Sequence, residues 1–147
     1  MNTANSERQS WMSTLARTSA SELQQLLDQL PEQPAYNLPR PVETGLCMVR
    51  GRISADGSPF NLGEMTLTRC VVQLEESKST TGVAYVMGRD KKQAELAALI
   101  DALLLNERLS PEAIAPLQNA IDEKRQSRAE HVASTKVDFF TMVRGED

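Results

Sequence analysis

The sequence is poor in aromatic residues and contains only two cysteines. Aromatic side chains make up 4% of the 147 residues, so the core has to be built mainly from Leu, Val, Ile, Met and Ala. Cys47 and Cys70 do not form a CxxC pair, which excludes a zinc site or a disulfide framework of the usual spacing. Each lies in an apolar stretch, and we therefore expect two buried thiols in a reducing cytoplasm.

Long hydrophobic runs are also missing. The longest, residues 96–105, is interrupted by Asp101 and is too short to span a bilayer, and residues 1–8 lack the apolar stretch of a signal peptide. The net charge of −4 gives no electrostatic support for binding nucleic acid or an anionic membrane. Length and composition predict a cytoplasmic globular protein with a single domain over residues 1–147.

Motifs of catalysis and cofactor binding are absent from the sequence. There is no GxxxxGK(S/T) loop, no GxGxxG loop and no HExxH, and His131 is the one histidine. Glu43, Glu64 and Asp90 could act as an acid–base pair only if two of them lay about 5–9 Å apart in a cleft, and nothing in the pattern brings them together. We therefore predict no catalytic residue, no metal and no cofactor bound by this chain.

The first third of the chain predicts helices followed by an extended connector. Residues 6–30 read as two helical pieces, in which Ser21 is the expected N-cap, with Gln24 close to a capping-box position. The second piece carries a leucine stripe, made of Leu23, Leu26, Leu27 and Leu30. Residues 31–41 contain four prolines and predict an extended connector.

The remainder predicts a sheet, then helices, then a final strand. Strands are expected over 44–54, 62–74 and 83–89, with Asp56 and Gly57 providing a turn that favours positive φ. Residues 90–134 predict helices, the first capped by Asp90 with Gln93 at the capping-box position, and residues 117–131 are mostly polar. Residues 137–144 are strand-like and should pair in this sheet or in a partner's. The fold class is α+β: an antiparallel sheet of three to four strands flanked by helices in one domain.

Each predicted strand carries an apolar row that runs into arginine. The residues concerned are Arg50, Arg52, Arg69 and Arg89, and arginine presents a rigid fork of donors that suits phosphates and carboxylates. One interpretation is a basic patch for a polyanion or an acidic partner, with Asn61 and backbone amides near Gly63 beside it. The other is cross-strand ion pairing, for example of Arg52 with Glu64. The strand register decides between them. The candidates for ligand or partner contact are Arg50, Arg52, Asn61, Glu64, Arg69 and Arg89.

A co-linear set of short motifs runs along nearly the whole chain. It consists of Arg8-Gln-Ser-Trp-Met12, Glu43-Thr-Gly-Leu46, Thr66-Leu-Thr-Arg69, Gly88-Arg-Asp-Lys91, Ala98-Leu-Ile-Asp-Ala-Leu103, Ile114-Ala-Pro-Leu117 and Val137-Asp-Phe-Phe-Thr-Met-Val-Arg-Gly145. The chain resembles the PhnG family of bacterial phosphonate catabolism over about residues 8–146. At Gln93 it departs from the family's pattern, which often has His, and an essential imidazole there is in doubt.

The resemblance implies a subunit of the carbon–phosphorus lyase core complex. Members of the family act with partners, among them a nucleosidase-like subunit, to transfer ribose 5-triphosphate from ATP or GTP to methylphosphonate with release of the base. ATP and methylphosphonate would then be substrates of the complex, and this chain an accessory part of a hetero-oligomer that is not catalytic alone. Its expected docking surfaces are the connector 31–41, the polar helix 117–131 and the last strand. The alternatives are an arginine-lined module for a polyphosphorylated ligand and a pure scaffold.

Overall fold

A computed structural model describes residues 3–53, 56–77 and 79–136 of the chain. Two helices come first, α1 (Thr3–Leu15) and α2 (Ala20–Asp28). Three strands follow, β1 (Tyr36–Arg52), β2 (Pro59–Leu74) and β3 (Thr81–Met87), and they form one antiparallel sheet in the order β1-β2-β3. Helix α3 (Lys91–Leu105), a 3-10 turn (Pro111–Ile114) and helix α4 (Ala115–Ser134) complete the described part. The predicted α+β class with an antiparallel sheet is confirmed.

Helix α3 forms the centre of the core. Ten of its residues are buried, since it packs between one face of the sheet and helices α1 and α2. The sheet contributes alternate residues, which are Thr68, Cys70, Val72 and Leu74 from β2 and Gly82, Ala84 and Val86 from β3. At Gly82 an added Cβ would lie 2.1 Å from the carbonyl oxygen of Ala98. The absence of a side chain there is what lets α3 approach the sheet so closely.

Helix α2 begins two residues earlier than predicted. Ser19, not Ser21, is the N-cap: its hydroxyl accepts a hydrogen bond from the Glu22 N–H, and the Glu22 carboxylate accepts one from the Ser19 N–H. Both serines begin an S-x-x-(E/Q) pattern, and the charged glutamate forms the stronger reciprocal pair. The pKa of Glu22 is lowered to about 2 by the hydrogen bonds from Ser19 and by Lys124. Leu23, Leu26 and Leu27 of the predicted stripe are buried.

The predicted connector is part of the sheet. Strand β1 starts at Tyr36, where residues 31–41 were expected to be an extended connector, and it includes Pro39 and Pro41. Proline is tolerated there because β1 lies at the edge of the described sheet, and the register is interrupted between Asn37 and Arg40 and again before Glu43. The strand also ends at Arg52, before the expected limit of 54. Tyr36 donates a hydrogen bond of 2.5 Å to Glu95 Oε1 and so ties the start of β1 to α3.

Two smaller expectations about cysteine and glycine are wrong. Cys47 is exposed and only Cys70 is buried, because α3 covers the stretch of β2 around Cys70 and does not cover the middle of β1. Burial raises the pKa of the Cys70 thiol to about 11. Gly57 does not adopt a positive φ, which among the described glycines occurs at Gly88 alone. Gly57 is required for space, because an added Cβ would lie 2.0 Å from the carbonyl oxygen of Ile53.

Helix α4 leaves the core soon after it begins. Pro116 lies in its first turn, where proline is compatible with a new helix following the 3-10 turn. Thr14 of α1 donates a hydrogen bond to Gln118, and Lys124 forms an ion pair with Glu22 of α2 at 3.1 Å. None of its residues is buried. The predicted strand 137–144 lies outside the described residues.

Candidate functional site

The hairpin formed by β1 and β2 extends beyond the helices. We call residues 45–52 of β1 together with residues 59–66 of β2 the arm. Its strands pair Leu46 with Thr66, Met48 with Glu64 and Arg52 with Pro59. Burial on β2 begins only at Thr68, whereas residues 59–64 are all exposed. The arm is therefore a two-stranded ribbon that no described helix covers, and such a ribbon is marginally stable by itself.

Large apolar side chains on the arm are open to solvent. Leu46 is 68% exposed and Leu62 is 66% exposed, and Met48 and Phe60 are also classed as exposed. Ile53, directly after β1, is 74% exposed. Single exposed apolar residues are ordinary, but a cluster of them on one projecting element marks an interaction surface.

Arg50, Arg52 and Asn61 lie near the tip of the arm. Arg50 and Asn61 are direct cross-strand partners, and Arg52 Nη1 donates a hydrogen bond of 3.1 Å to the carbonyl oxygen of Gly57. The pairing of Arg52 with Glu64 is wrong, since Glu64 lies opposite Met48. Arg52 thus closes the turn, and Arg50 and Asn61 remain the polar pair at the end of the arm.

Arg69 lies far from the arm tip, in the part of β2 that pairs with both β1 and β3. Its Nε and Nη2 donate hydrogen bonds of 2.9 and 2.6 Å to Glu43 Oε2, and its cross-strand partner on β3 is Tyr85. The arginine lowers the pKa of Glu43. Around the pair is a groove of about 470 Å³ on the face of the sheet opposite α3, lined by Glu43, Thr44, Gly45, Leu46, Leu67, Arg69 and Tyr85. Tyr85 and Met87 on this face are 51% and 71% exposed.

The candidate arginines do not converge on one point. Asn61 and Arg69 are eight residues apart on β2, a distance of about 25 Å along a strand. Arg89 follows the positive-φ Gly88 at the end of β3 and is exposed. The sheet therefore carries two separate polar positions, one at the arm tip and one at the Glu43–Arg69 pair.

The carboxylates that were considered for acid–base chemistry are not brought together by the fold. Glu43 accepts from Arg69, Glu64 lies on the arm opposite Met48, and Asp90 Oδ1 caps α3 by accepting a 2.9 Å hydrogen bond from the Gln93 N–H. Among the described residues, no group of three or more His, Cys, Asp or Glu could hold a metal ion. No helix in the described part is long and apolar enough to cross a membrane.

Sequence reasoning missed a buried polar cluster at Asp101. Its side chain is fully buried, and it accepts hydrogen bonds from Arg8 Nη2 at 2.8 Å, from Trp11 Nε1 at 2.8 Å and from the Val83 N–H at 2.9 Å. The signal was present: Asp101 is the one charge inside the apolar run of α3, and Arg8 and Trp11 lie one helical turn apart. The cluster joins α1, α3 and β3, so its geometry indicates a structural role.

Gln93 has a structural role as well. Its side-chain amide donates hydrogen bonds of 3.3 Å to the carbonyl oxygen of Ala16 and 2.7 Å to that of Thr18. These carbonyls lie just after α1, where helix ends leave acceptors without backbone partners. Gln93 therefore connects the start of α3 to the junction between α1 and α2.

Taken together, the fold and the site define a small α+β interaction domain with an exposed arm and no converged catalytic set among the described residues. The family described as "Phosphonate metabolism protein PhnG" matches residues 6–145. A relative from Rhizobium meliloti (strain 1021) is 44% identical over 144 residues, covering 96% of this chain and 91% of its own length. That relative is named alpha-D-ribose 1-methylphosphonate 5-triphosphate synthase subunit PhnG. The chain belongs to the PhnG family of phosphonate metabolism proteins.

Proposed function

We propose that this chain is an accessory subunit of alpha-D-ribose 1-methylphosphonate 5-triphosphate synthase, within a carbon–phosphorus lyase core complex. The observation that carries the proposal is the 44% identity, over 96% of the chain, to the relative named as a subunit of that synthase. The complex would transfer ribose 5-triphosphate from ATP or GTP to methylphosphonate. This subunit works in the cytoplasm and holds no cofactor of its own, while ATP and methylphosphonate are substrates of the assembly.

The chemistry of the described residues supports an accessory role. A transferase that acts alone needs groups that converge on the reacting atoms. Here the carboxylates are engaged in an ion pair or a helix cap, or lie apart on the arm, and Arg50 at the arm tip is about 25 Å from Arg69 along the sheet. A nucleosidase-like partner would therefore carry the reacting groups.

The exposed arm and helix α4 are the docking surfaces that we propose for the partners. The arm presents apolar side chains on a ribbon that needs further packing for stability, and α4 runs for 20 residues without burying any of them. A stable assembly of this kind buries about 1,600 Å² or more in total. Helix α4 contains residues 117–131, which were expected as a docking surface from the sequence, whereas the arm is an addition to those expectations.

A direct role in holding phosphate groups is the second candidate, and the pair at the arm tip favours it. Arg50 and Asn61 lie opposite each other and are exposed, and both side chains can donate hydrogen bonds to an oxyanion brought by a partner. An Arg50→Lys variant separates the two roles, because lysine keeps the charge but loses the donor fork. Loss of turnover with an intact complex supports phosphate contact, whereas unchanged turnover opposes it.

Co-expression with the nucleosidase-like partner tests the main proposal. A pull-down measures association, and an assay with ATP and methylphosphonate measures the product. We expect a stable complex that forms the ribosyl phosphonate, whereas the partner alone only hydrolyses ATP to ribose triphosphate and adenine. Absence of both a complex and a change in product would overturn the proposed function.

A further inference from the structure

A groove lies between helix α1 and the start of helix α4, away from the sheet. Helix α1 contributes Glu7 and Trp11 to its lining, and the 3-10 turn and α4 contribute Ile114, Ala115 and Gln118. Its volume is about 350 Å³, which lies in the range of small-molecule sites. We call it the α1–α4 groove. It shares no lining residue with the arm or with the groove on the opposite face of the sheet.

Trp11 gives this groove an aromatic surface that is held in place. Its Nε1 donates a 2.8 Å hydrogen bond to the buried carboxylate of Asp101, and the rest of the ring is partly exposed. The orientation of the indole is therefore fixed before a ligand arrives, so little side-chain freedom is lost on binding. A flat ring system can stack on such a surface.

Gln118 adds a polar group with both donor and acceptor capacity. Its Oε1 accepts a hydrogen bond from Thr14, and its Nε2 donates one of 2.9 Å to Asp122. An amide offers two N–H groups and two lone pairs on oxygen, so these bonds fix its position and still leave one of each for a ligand. A glutamine amide of this kind pairs with the amino group and the neighbouring ring nitrogen of adenine.

The charges around the groove exclude an anionic ligand. Glu7 is the one charged side chain among the described lining residues, and the carboxylate of Asp122 lies beside Gln118. A phosphate group would meet these two carboxylates, which is unfavourable. The groove therefore suits a flat, uncharged heterocycle and not a nucleotide.

We propose that the α1–α4 groove binds a free purine base of the adenine type. The ring stacks on Trp11, its amino edge pairs with the Gln118 amide, and Ile114 and Ala115 provide the apolar contact. The site uses no residue of the arm, and binding there does not depend on the proposed function.

Trp11 is the only tryptophan of the chain, so its fluorescence reports on the groove. Adenine is titrated into the purified full-length chain, with excitation at a wavelength that adenine does not absorb, and calorimetry is run in parallel. We expect saturable quenching and a heat of binding with the same midpoint, with a dissociation constant on the order of 1 mM or lower. Absence of a saturable change in both measurements overturns the proposal.

Two glutamines on α4 provide a matched pair of variants. Gln118→Leu removes the pairing amide, and Thr14 keeps the carbonyl oxygen of Ser10 as an acceptor at 3.3 Å. We expect the affinity for adenine to fall about tenfold. Gln126→Leu is the control, because Gln126 donates a similar 2.8 Å hydrogen bond to Glu130 further along the helix. Unchanged affinity in Gln118→Leu, or an equal loss in Gln126→Leu, opposes the proposal.

Filling the groove tests its location. Ala115 is exposed at the first position of α4, so Ala115→Leu should keep the wild-type melting curve while its side chain occupies the place of the base. We expect adenine binding to be lost in this variant. Full affinity in Ala115→Leu would place the binding elsewhere and overturn the proposal.

A comparison of ligands tests the chemical class. ATP carries the same base with a triphosphate and should bind at least about tenfold more weakly, because of the two carboxylates. Unsubstituted purine lacks the amino group and should also bind more weakly than adenine. ATP binding as tightly as adenine would contradict a site for the free base. Choline binding more tightly than adenine would assign the groove to cations, which also bind tryptophan faces, and would overturn the proposal.

Discussion

The two halves of strand β2 both carry apolar residues, but their environments are opposite. Residues 59–64 lie on the arm with Phe60 and Leu62 exposed, whereas Val72 and Leu74 near the other end are buried against α3. Both halves are apolar enough to predict a strand. The difference is the neighbouring layer, since α3 covers one half of the hairpin and no described helix covers the other. Apolar residues in a strand therefore indicate that the strand packs against something. They do not indicate whether it packs within the chain or against another protein.

Removing Arg8, the ion-pair partner of the buried Asp101 carboxylate, should cause the largest loss of stability. The loss concerns the part of the molecule that packs on α3. Arg8→Ala leaves the Asp101 charge buried without its counter-charge, and breaking such a pair costs about 3–5 kcal/mol. Urea denaturation followed by circular dichroism measures the change in unfolding free energy. The matched control is Arg50→Ala on the arm, an exposed site where we expect a change within about 0.5 kcal/mol. Equal effects of the two variants would contradict the contrast between the halves.

Truncating a leucine should also distinguish the covered part of the molecule from the arm by its effect on stability. Leu103 is 1% exposed and Leu62 is 66% exposed. Leu103→Ala removes buried methyl groups and leaves a cavity, which costs about 2–5 kcal/mol, whereas Leu62→Ala in the isolated chain should change stability very little. Thermal melting of both variants gives the comparison. A large loss for Leu62→Ala would mean that the arm is packed in the free chain.

The cap of α2 should make a smaller, pH-dependent contribution. Ser19→Ala removes the capping box and should cost about 1 kcal/mol. Because the pKa of Glu22 falls from 4.5 to about 2 on folding, its contribution is present above pH 4.5 and is lost as the pH decreases toward 2. Unfolding free energies measured across this range should decline less in Glu22→Gln than in the wild type. An identical decline would show that the cap is not formed in solution.

A charge introduced on the arm should weaken binding to a partner without changing the stability of the isolated chain. Leu62→Asp introduces a carboxylate at an exposed apolar position, so the isolated chain should melt as the wild type does. Docking of the same surface to a partner would bury that carboxylate, which is strongly unfavourable. A pull-down with the nucleosidase-like subunit should therefore recover much less complex. Full recovery of the complex would show that Leu62 is not part of the proposed docking surface. The control is Ser58→Asp, which adds the same charge at a nearby position that is not apolar.

The sequence by itself determined the α+β class, the antiparallel hairpins, the Asp90 cap and the family. These follow from local rules: the period of apolar residues, the chemistry of caps, and short motifs in a constant order. Overlapping local signals produced the error in the start of α2, since Ser19 and Ser21 both begin a capping pattern and only the geometry selects Ser19. Prolines at an edge strand likewise made residues 36–41 read as a connector.

Only the tertiary structure decided which apolar and charged residues act together. Strand register placed Arg69 beside Glu43 and separated it from Arg50, and a shift of one residue would have reversed the faces. Arg8 and Trp11 of α1 meet Asp101 although they lie 93 and 90 residues before it in the chain, and Val83 of β3 joins the same cluster. The exposure of Cys47 and the burial of Cys70 depend on where α3 ends over the sheet. Each of these is a long-range relation between elements, and periodicity along the chain carries no information about such relations.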